Sequence, residues 1–225
     1  MSETIAFLGC SRGIGSHFCR AWDRRFPDSV FHLYARNLGP LEGLAGELDS
    51  SAYAHSVDFS KGDQFDEILE KLTEQNPTRV FYFAGGGPHG FFGDKEWKDH
   101  QWALNVTLLM PMRLVHALAR EDAFPNLMQT LLVGSLVADS APDPKASSYA
   151  VAKHGLRGLV STLHEEGLPF DLRFLRPGYI DTDLLPPNSW VREAKKLLDP
   201  KVVAEKSREW LLEPGGAKIL DMPSS

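Results

Sequence analysis

Tyr149 and Lys153 are the two side chains of this sequence best suited to moving a proton. They lie four residues apart in the stretch YAVAK, and this spacing places both side chains on one face of a helix. A free tyrosine has a pKa of about 10, and a neighbouring ammonium stabilises its phenolate and brings the pKa closer to neutral. The spacing therefore indicates general acid–base chemistry. The alternative is that Tyr149 packs on an amphipathic helix and Lys153 is solvated.

Ser135 is a third candidate, because it follows the strand-like run Met128–Val133 in the pair Gly134-Ser135. A hydroxyl at the carboxyl end of a strand can hydrogen-bond a substrate carbonyl and stabilise the alkoxide that develops on it. A serine after a strand is also often a helix cap. Position alone leaves both interpretations open.

A glycine-rich stretch near the N-terminus has the properties of a phosphate-binding loop. In LGCSRGIG, Gly9, Gly13 and Gly15 lie between a predicted strand and a predicted helix. The first glycine permits a tight turn, and the others let backbone amides approach a pyrophosphate at the positive end of the helix. This context favours a dinucleotide site. A glycine-rich turn without a ligand is the alternative.

Two arginines near this loop bear on the choice of dinucleotide. A free ribose 2′-hydroxyl usually meets a carboxylate about 20 residues beyond the loop, but the second strand ends in HLYARN and presents Arg36 there. Arg12 lies in the loop itself, and two converging guanidinium groups suit a 2′-phosphate. The pair predicts NADP(H), unless both are solvated surface residues. Asp58, after the third predicted strand, meets the adenine amino group or caps the next helix.

Short apolar runs alternate with amphipathic stretches, a pattern that predicts βαβ units. The predicted strands are Ile5–Leu8, Val30–Ala35, Ala52–Val57, Val80–Ala84, Met128–Val133, Leu172–Leu175 and Ala217–Leu220. The predicted helices are Ile14–Arg25, Leu41–Glu47, Asp63–Gln75, Trp97–Arg120, Ser148–Glu166 and Lys201–Leu212. Together they predict an α/β fold in one domain over residues 1–225, a doubly wound parallel sheet of the Rossmann type with about seven strands and helices on both faces. Ligands of such sheets bind at the carboxyl ends of the strands, and the candidate residues lie there or on the helix beside that crevice.

Composition and charge exclude several classes of function. Of the 225 residues, 43% are hydrophobic and 24% are charged, the balance of a soluble globular protein. A net charge of −6 with dispersed basic residues argues against nucleic acid as a partner. We see no apolar run near the roughly 20 residues that cross a bilayer and no signal peptide. Cys10 and Cys19 make a disulfide framework implausible and favour the cytoplasm, and the histidines form no metal-like cluster.

Taken in order, these motifs resemble the short-chain dehydrogenase/reductase family from about Thr4 to Leu220. They are the glycine loop, Asn105 in the fourth crossover helix, Gly134-Ser135, YAVAK, and RPGYIDT at Arg176–Thr182. The resemblance implies a catalytic set of Asn105, Ser135, Tyr149 and Lys153. In this set Tyr149 exchanges the proton and Ser135 polarises the carbonyl. Lys153 holds the nicotinamide ribose, and Asn105 holds a water that links Lys153 to solvent.

The resemblance also implies the cofactor site and the assembly. The residues implied to bind NADP(H) are Gly9, Ser11, Arg12, Gly13, Ile14, Gly15, Arg36, Asp58, Ala84, Gly85, Tyr149, Lys153, Pro177, Gly178, Ile180 and Thr182. The family's four-helix interface is expected to use the Trp97–Arg120 and Ser148–Glu166 helices and to give a homodimer or homotetramer. The expected partner is a small-molecule carbonyl compound or alcohol, without a metal, nucleic acid or membrane.

Parts of the chain depart from the family pattern. The usual Asn-Asn-Ala-Gly after the fourth strand is YFAG here, so Tyr82 and Phe83 are expected to cost one strand-stabilising hydrogen bond. The stretch GGGPHGFFG, Gly85–Gly93, forms either a mobile pocket wall with His89 or a surface turn with buried phenylalanines. A segment at about 182–198 combines prolines with apolar side chains, and we expect it to be a substrate loop that closes over the site.

These features predict an NADPH-dependent reductase that transfers a hydride to a ketone or aldehyde, with Tyr149 as general acid. One alternative is a non-catalytic NADP(H)-binding regulator or scaffold on the same fold. Another is a different reaction, such as dehydration or epimerisation of a sugar nucleotide. The complete set of four catalytic residues argues against the regulator, and the short region after the sixth strand argues against a sugar-nucleotide enzyme.

Overall fold

Seven parallel strands form one sheet in the computed structural model, which describes residues 3–120, 124–136, 144–187, 189–194 and 196–224. The strands are β1 (Thr4–Leu8), β2 (Val30–Ala35), β3 (Ser51–Ser56), β4 (Arg79–Tyr82), β5 (Gln129–Val133), β6 (Asp171–Pro177) and β7 (Ile219–Met222). Their order is β3-β2-β1-β4-β5-β6-β7, and each neighbouring pair runs parallel. The predicted fold class, an α/β protein with a doubly wound parallel sheet, is confirmed.

Helices connect the strands and cover the sheet. They are α1 (Gly13–Asp23), α2 (Leu38–Glu47), α3 (Phe65–Gln75), α4 (Trp97–Leu104), α5 (Met110–Leu118), α6 (Ser147–Glu166), α7 (Val191–Ala194) and α8 (Pro200–Leu212). Two 3₁₀ turns, Gly62–Gln64 and Phe92–Asp94, and a π-helix, Asn105–Leu109, complete the set that the described residues form. In this part of the chain, no helix combines the length and the apolar character that a membrane crossing requires.

The core is divided between the two faces of the sheet, because successive strand residues point to opposite sides. On β1, Ile5 and Phe7 pack in a cluster with α1, α2 and α8. Ala6 and Leu8 pack on the other face with α3, α5 and α6. Both faces of the central strands β1 and β4 are therefore buried, which explains why these strands are apolar runs in the sequence. The edge strands β3 and β7 are more exposed.

The predicted helix Trp97–Arg120 is interrupted in the structure, which is the largest difference from the sequence-based elements. The π-helix separates α4 from α5, and Pro111 lies in the first turn of α5. Proline has no N–H to donate to the carbonyl four residues earlier, Thr107, and its ring clashes with that carbonyl. A π-turn admits one extra residue at this point and relieves the conflict.

The other differences are shifts at the ends of elements. The sixth strand extends two residues further than predicted and includes Pro177. The last strand begins at Ile219 instead of Ala217, and α3 begins at Phe65 after a 3₁₀ turn. Element ends fray and are weakly specified by periodicity, so shifts of this size are expected.

Candidate active site

The glycine loop crosses the carboxyl end of β1, where the strand order reverses. Gly9 has a φ of +88°, a conformation that glycine adopts without a steric penalty. A Cβ at Gly9 would lie 2.3 Å from the backbone nitrogen of Ala84, and one at Gly15 would lie 2.7 Å from the Gly9 carbonyl oxygen. The loop thus packs backbone against backbone, and α1 starts at Gly13 with its positive end at the loop.

A cavity of about 540 Å³ lies over this loop and the ends of the neighbouring strands. The predicted cofactor residues on its wall are Gly9, Ser11, Arg12, Gly13, Ile14, Gly15, Arg36, Asp58, Ala84, Gly85 and Thr182. Side chains at Gly9 and Gly15 would clash with this backbone. A loop of this shape, with a helix N-terminus behind it, fits a pyrophosphate.

Arg12 and Arg36 both line this cavity and are exposed to solvent. Neither guanidinium forms an ion pair within the described residues, so both remain able to bind an anion. Asp58 lies beside them, and its Oδ1 accepts hydrogen bonds from the backbone N–H (3.0 Å) and the hydroxyl (2.7 Å) of Ser60. Burial opposes the ionisation of Asp58, but these bonds and the charge of Arg36 outweigh it and lower the pKa of the carboxyl group.

A second cavity, of about 180 Å³, adjoins the first and holds most of the predicted catalytic residues. Ser135, Tyr149 and Lys153 line it, together with the predicted cofactor residues Pro177, Gly178, Ile180 and Thr182. The two cavities share wall residues, namely Ile14, Phe83, Gly85, Thr182 and Leu184. They therefore form one continuous trough, with the glycine loop at one end and the candidate proton donor at the other.

Lys153 is buried, with 7% of its surface exposed. Its Nζ donates a hydrogen bond to the Val133 carbonyl at 2.7 Å and lies 5.5 Å from the centre of the Tyr149 ring. Burial lowers the pKa of the ammonium to about 8, since a charged group loses hydration there. The structure thus brings the Lys153 ammonium near the Tyr149 ring, but burial makes the protonated form of Lys153 less stable than it is in water.

The pKa of Tyr149 is raised above that of a free tyrosine. Burial is the main cause, a hydrogen bond with Ser135 opposes it, and the nearby Tyr179 adds to it. In the protein alone, burial outweighs the hydrogen bond with Ser135, so the net direction is upward. Tyr149 is therefore protonated across the neutral pH range, which is the form that donates a proton.

Asn105 differs from the other predicted catalytic residues, because its side chain is not on the wall of either cavity. Its Nδ2 donates to the carbonyl of Ser60 at 3.1 Å. Asn105 is also the first residue of the π-helix, and its carbonyl accepts the N–H of Met110. The side chain thus ties the π-helix to the loop after β3.

Tyr82 and Phe83, which replace the family's asparagines, have contacts of their own. The Tyr82 hydroxyl donates to the Val106 carbonyl at 2.6 Å, so a bond from strand to π-helix is present at this position. The Phe83 ring lies 4.7 Å from that of Phe18 and lines both cavities. The departure from the family pattern pointed to these positions, but not to their contacts.

The stretch Gly85–Gly93 forms part of the pocket wall through Gly85, Gly87, Pro88 and His89. Phe91 and Phe92 are 63% and 57% exposed, so the alternative of a surface turn with buried phenylalanines is wrong. The loop after β6 also lines this cavity, with Leu184, Leu185 and Pro186.

Arg192, from α7, supports this second loop. Its guanidinium binds the Asp181 carboxylate at 2.6 Å and donates to the carbonyls of Thr182 (3.0 Å) and Leu185 (2.8 Å). The segment predicted at about 182–198 therefore borders the trough, and most of it is described. The sequence did not indicate this role of Arg192.

The sequence and the fold were compared with those of known proteins. A family model described as short chain dehydrogenase matches residues 3–190. The cyclic-di-GMP-binding biofilm dispersal mediator protein of Escherichia coli is 26% identical over 197 residues, which cover 85% of this chain and 78% of that protein. The human 3-oxoacyl-[acyl-carrier-protein] reductase is 28% identical over 189 residues, with 82% and 78% covered. An alcohol dehydrogenase from the archaeon Thermococcus sibiricus, solved with 5-hydroxy-NADP, superposes with a TM-score of 0.82 at 25% identity and covers 99% of this chain and 96% of its own.

Proposed function

This chain belongs to the short-chain dehydrogenase family, and we propose that it is an NADPH-dependent reductase of ketones or aldehydes. The observation that carries the proposal is the continuous trough in which Ser135, Tyr149 and Lys153 lie next to the glycine loop. A binding protein has no need of an acid, a hydroxyl and an ammonium at one end of a dinucleotide site. The described part of the predicted substrate loop borders the reacting end through Leu184, Leu185 and Pro186.

The glycine loop and the two arginines fit NADP(H). Backbone amides of the loop would hold the pyrophosphate, and Arg12 and Arg36 would hold the 2′-phosphate. Pro177, Gly178, Ile180 and Thr182 would line the nicotinamide end. The bound cofactor supplies or accepts the hydride. The NADP analogue in the archaeal alcohol dehydrogenase supports this choice.

Residues of the chain polarise the carbonyl, donate the proton and stabilise the groups that become charged. Ser135 donates a hydrogen bond to the substrate carbonyl and stabilises the developing negative charge. Tyr149 gives its proton to the same oxygen, since its raised pKa keeps it protonated before the reaction. Lys153 stabilises the phenolate that remains and holds the ribose. Asn105 fixes the π-helix, and we propose that this helix supports the water that leads to Lys153.

A non-catalytic regulator remains a second candidate, because the E. coli relative is named as a mediator that binds cyclic-di-GMP. The two candidates differ in one measurable property. A regulator binds NADPH without carbonyl-dependent oxidation, whereas a reductase consumes NADPH and forms an alcohol. The test is NADPH oxidation over a panel of aliphatic and aromatic ketones, aldehydes and 3-oxoacyl thioesters. Tight NADPH binding with no turnover across the panel would favour the regulator.

We predict that the protein prefers NADPH to NADH through Arg36. Replacing Arg36 with alanine removes a charge-assisted bond, so NADPH binding should weaken about 10–100-fold while NADH binding stays nearly unchanged. Titration of both cofactors by fluorescence measures the effect. Arg25→Ala, at an exposed arginine off both cavity walls, is the control. Equal affinity of the parent for the two cofactors would refute the prediction.

We also propose that two subunits, or two pairs of subunits, associate through α5, α6 and the π-helix. Leu109, Met112 and Val151 on these helices are 47%, 46% and 59% exposed, and apolar surface of this kind is typical of interfaces. Analytical ultracentrifugation at micromolar concentration should show a dimer or tetramer. A stable 25.0 kDa monomer contradicts this prediction.

The proposed setting is the reducing cytoplasm. Both cysteines, Cys10 and Cys19, are free and buried thiols, which agrees with an environment in which disulfides do not form. The proposed partner is a small carbonyl compound or alcohol.

A further inference from the structure

We propose that Thr107 is a positioning residue of the active site, because its hydroxyl clamps Gly86 and so holds the segment Gly85–Gly87 against Tyr149. This role rests on the proposed reductase function. Thr107 lies in the π-helix and is not part of the motifs that identify the family. Among the described residues its hydroxyl bonds Gly86 and not Ser135 or the proton donor. It would act on the reaction only through the wall of the trough.

The clamp consists of two hydrogen bonds to one residue. The Thr107 Oγ1 accepts the N–H of Gly86 at 3.0 Å and donates to the carbonyl of Gly86 at 3.0 Å. Thr107 is 1% exposed, so water does not substitute easily for either bond. A hydroxyl is the smallest side-chain group that can accept and donate at once. A valine of the same shape can do neither.

The clamped segment needs external support, because glycines restrict the backbone little. Gly86 has a φ of +157°, and a Cβ there would lie 3.1 Å from the ring of Trp102. Without side chains, Gly85–Gly87 cannot anchor itself by packing. The two hydrogen bonds of the Thr107 hydroxyl fix the position of this segment, as packed side chains do in other loops.

The clamped segment lies directly against the reacting groups. A Cβ at Gly87 would lie 3.1 Å from the Cβ of Tyr149, and one at Gly85 would lie 3.6 Å from the Nζ of Lys153. Gly85 lines both cavities, and Gly87 lines the catalytic cavity. A shift of this segment therefore changes the space around the tyrosine and at the junction of the trough.

The rest of the glycine-rich wall is fixed at separate points. The N–H of Gly90 donates to the Lys145 carbonyl at 2.9 Å. His100 bonds the Phe92 carbonyl at 3.2 Å through Nε2, and its Nδ1 bonds the Ser148 hydroxyl. These contacts hold the far end of the wall, so loss of the Thr107 hydroxyl should loosen the near end selectively.

The test compares Thr107→Val with Thr107→Ser, and Thr130→Val is the matched control. Thr130 is also buried, but its hydroxyl has no hydrogen-bond partner among the described residues, so the same substitution removes no bond there. For each protein we would measure amide exchange at Gly86, NADPH affinity, melting temperature, and turnover on any carbonyl that the parent reduces.

In Thr107→Val, Gly86 exchange should accelerate about tenfold or more, since its N–H loses its acceptor. Turnover should fall about 10–100-fold with a smaller change in KM, the effect of misplacing a reacting group. Thr107→Ser and Thr130→Val should behave like the parent. Parent-like exchange at Gly86 in Thr107→Val, or faster exchange with parent-like turnover, overturns the proposal.

Two further outcomes are also decisive. If Thr107→Val does not fold, Thr107→Ser carries the test, because it keeps the hydroxyl. If Thr107→Ser folds but its Gly86 amide exchanges rapidly, the proposed clamp is wrong. If the Gly86 amide exchanges as slowly as in the parent and turnover is unchanged, the result supports the clamp. If the parent reduces no carbonyl, the reductase proposal fails by itself. Gly86 exchange and NADPH affinity then still decide whether Thr107 holds the wall.

Discussion

Replacing Tyr149 with phenylalanine should nearly abolish turnover and leave NADPH affinity and the melting temperature close to those of the parent. The ring and its packing remain, and only the hydroxyl that delivers the proton is lost. Loss of general acid catalysis costs about 10²–10⁴-fold in rate. We expect the upper end, because the same hydroxyl bonds Ser135 and so helps to orient the carbonyl.

Tyr53→Phe is the matched control for this substitution. Tyr53 lies on β3, is 55% exposed, and stacks on His32 at 5.5 Å, away from both cavity walls. Its loss of a hydroxyl should leave turnover unchanged. A Tyr149→Phe protein with near-parent turnover would end the proposed mechanism, whatever the fold.

Replacing Lys153 with methionine should reduce turnover strongly, by about 10²-fold or more, and should also weaken NADPH binding. Lys153 is assigned two roles, stabilising the phenolate and holding the ribose. Methionine keeps most of the volume but cannot donate the bond to Val133 that the structure shows at 2.7 Å. Loss of turnover with unchanged NADPH affinity would remove the ribose role, and unchanged turnover would remove the phenolate role.

The pH dependence of turnover provides a second test of the role of Lys153. The folded-state pKa of Lys153, about 8, lies below its ordinary value of 10.5 because of burial. Only the protonated form stabilises a phenolate, so the turnover of the parent should fall as the pH rises through about 8. The residual turnover of Lys153→Met should lack this step. A step of equal size in both proteins would assign it to another group.

The Lys153→Met substitution has two opposing effects on the stability of the folded protein. A lysine whose pKa is lowered by folding destabilises the folded state at low pH, and this cost fades between about 8 and 10.5. Methionine removes the cost of burying the charge but leaves the Val133 carbonyl without its donor. Because these effects oppose each other, the melting temperature near neutral pH should change little.

Most of the fold could be predicted from the sequence because the physical signals are local. Strands buried on both faces are apolar runs, and β2 was predicted with its observed bounds. The glycine loop could be predicted because a backbone contact as close as that of Gly9 with Ala84 excludes any side chain. The ordered motifs then located Ser135 at the carboxyl edge of the sheet and placed Tyr149 and Lys153 on a neighbouring helix.

The supports of the site could not be predicted in the same way, since they depend on contacts between distant segments. Pro111 marks a helix irregularity, but periodicity does not show that a π-turn resolves it. Thr107 belongs to none of the motifs seen in the sequence. Its two hydrogen bonds to Gly86 form only because the π-helix places its hydroxyl beside that residue. The effect of burial on the pKa of Tyr149 could not be predicted for a related reason, because burial can be assessed only after the helices are packed.

The central claim is that hydride and proton reach a carbonyl in the cavity of Tyr149. It is tested most directly by the mass of the alcohol formed from a carbonyl substrate with NADPH that carries deuterium at both C4 positions. We predict an alcohol with one deuterium on its carbinol carbon from the parent protein and only a trace of it from Tyr149→Phe. An alcohol without deuterium, or equal labelled product from both proteins, would contradict the account.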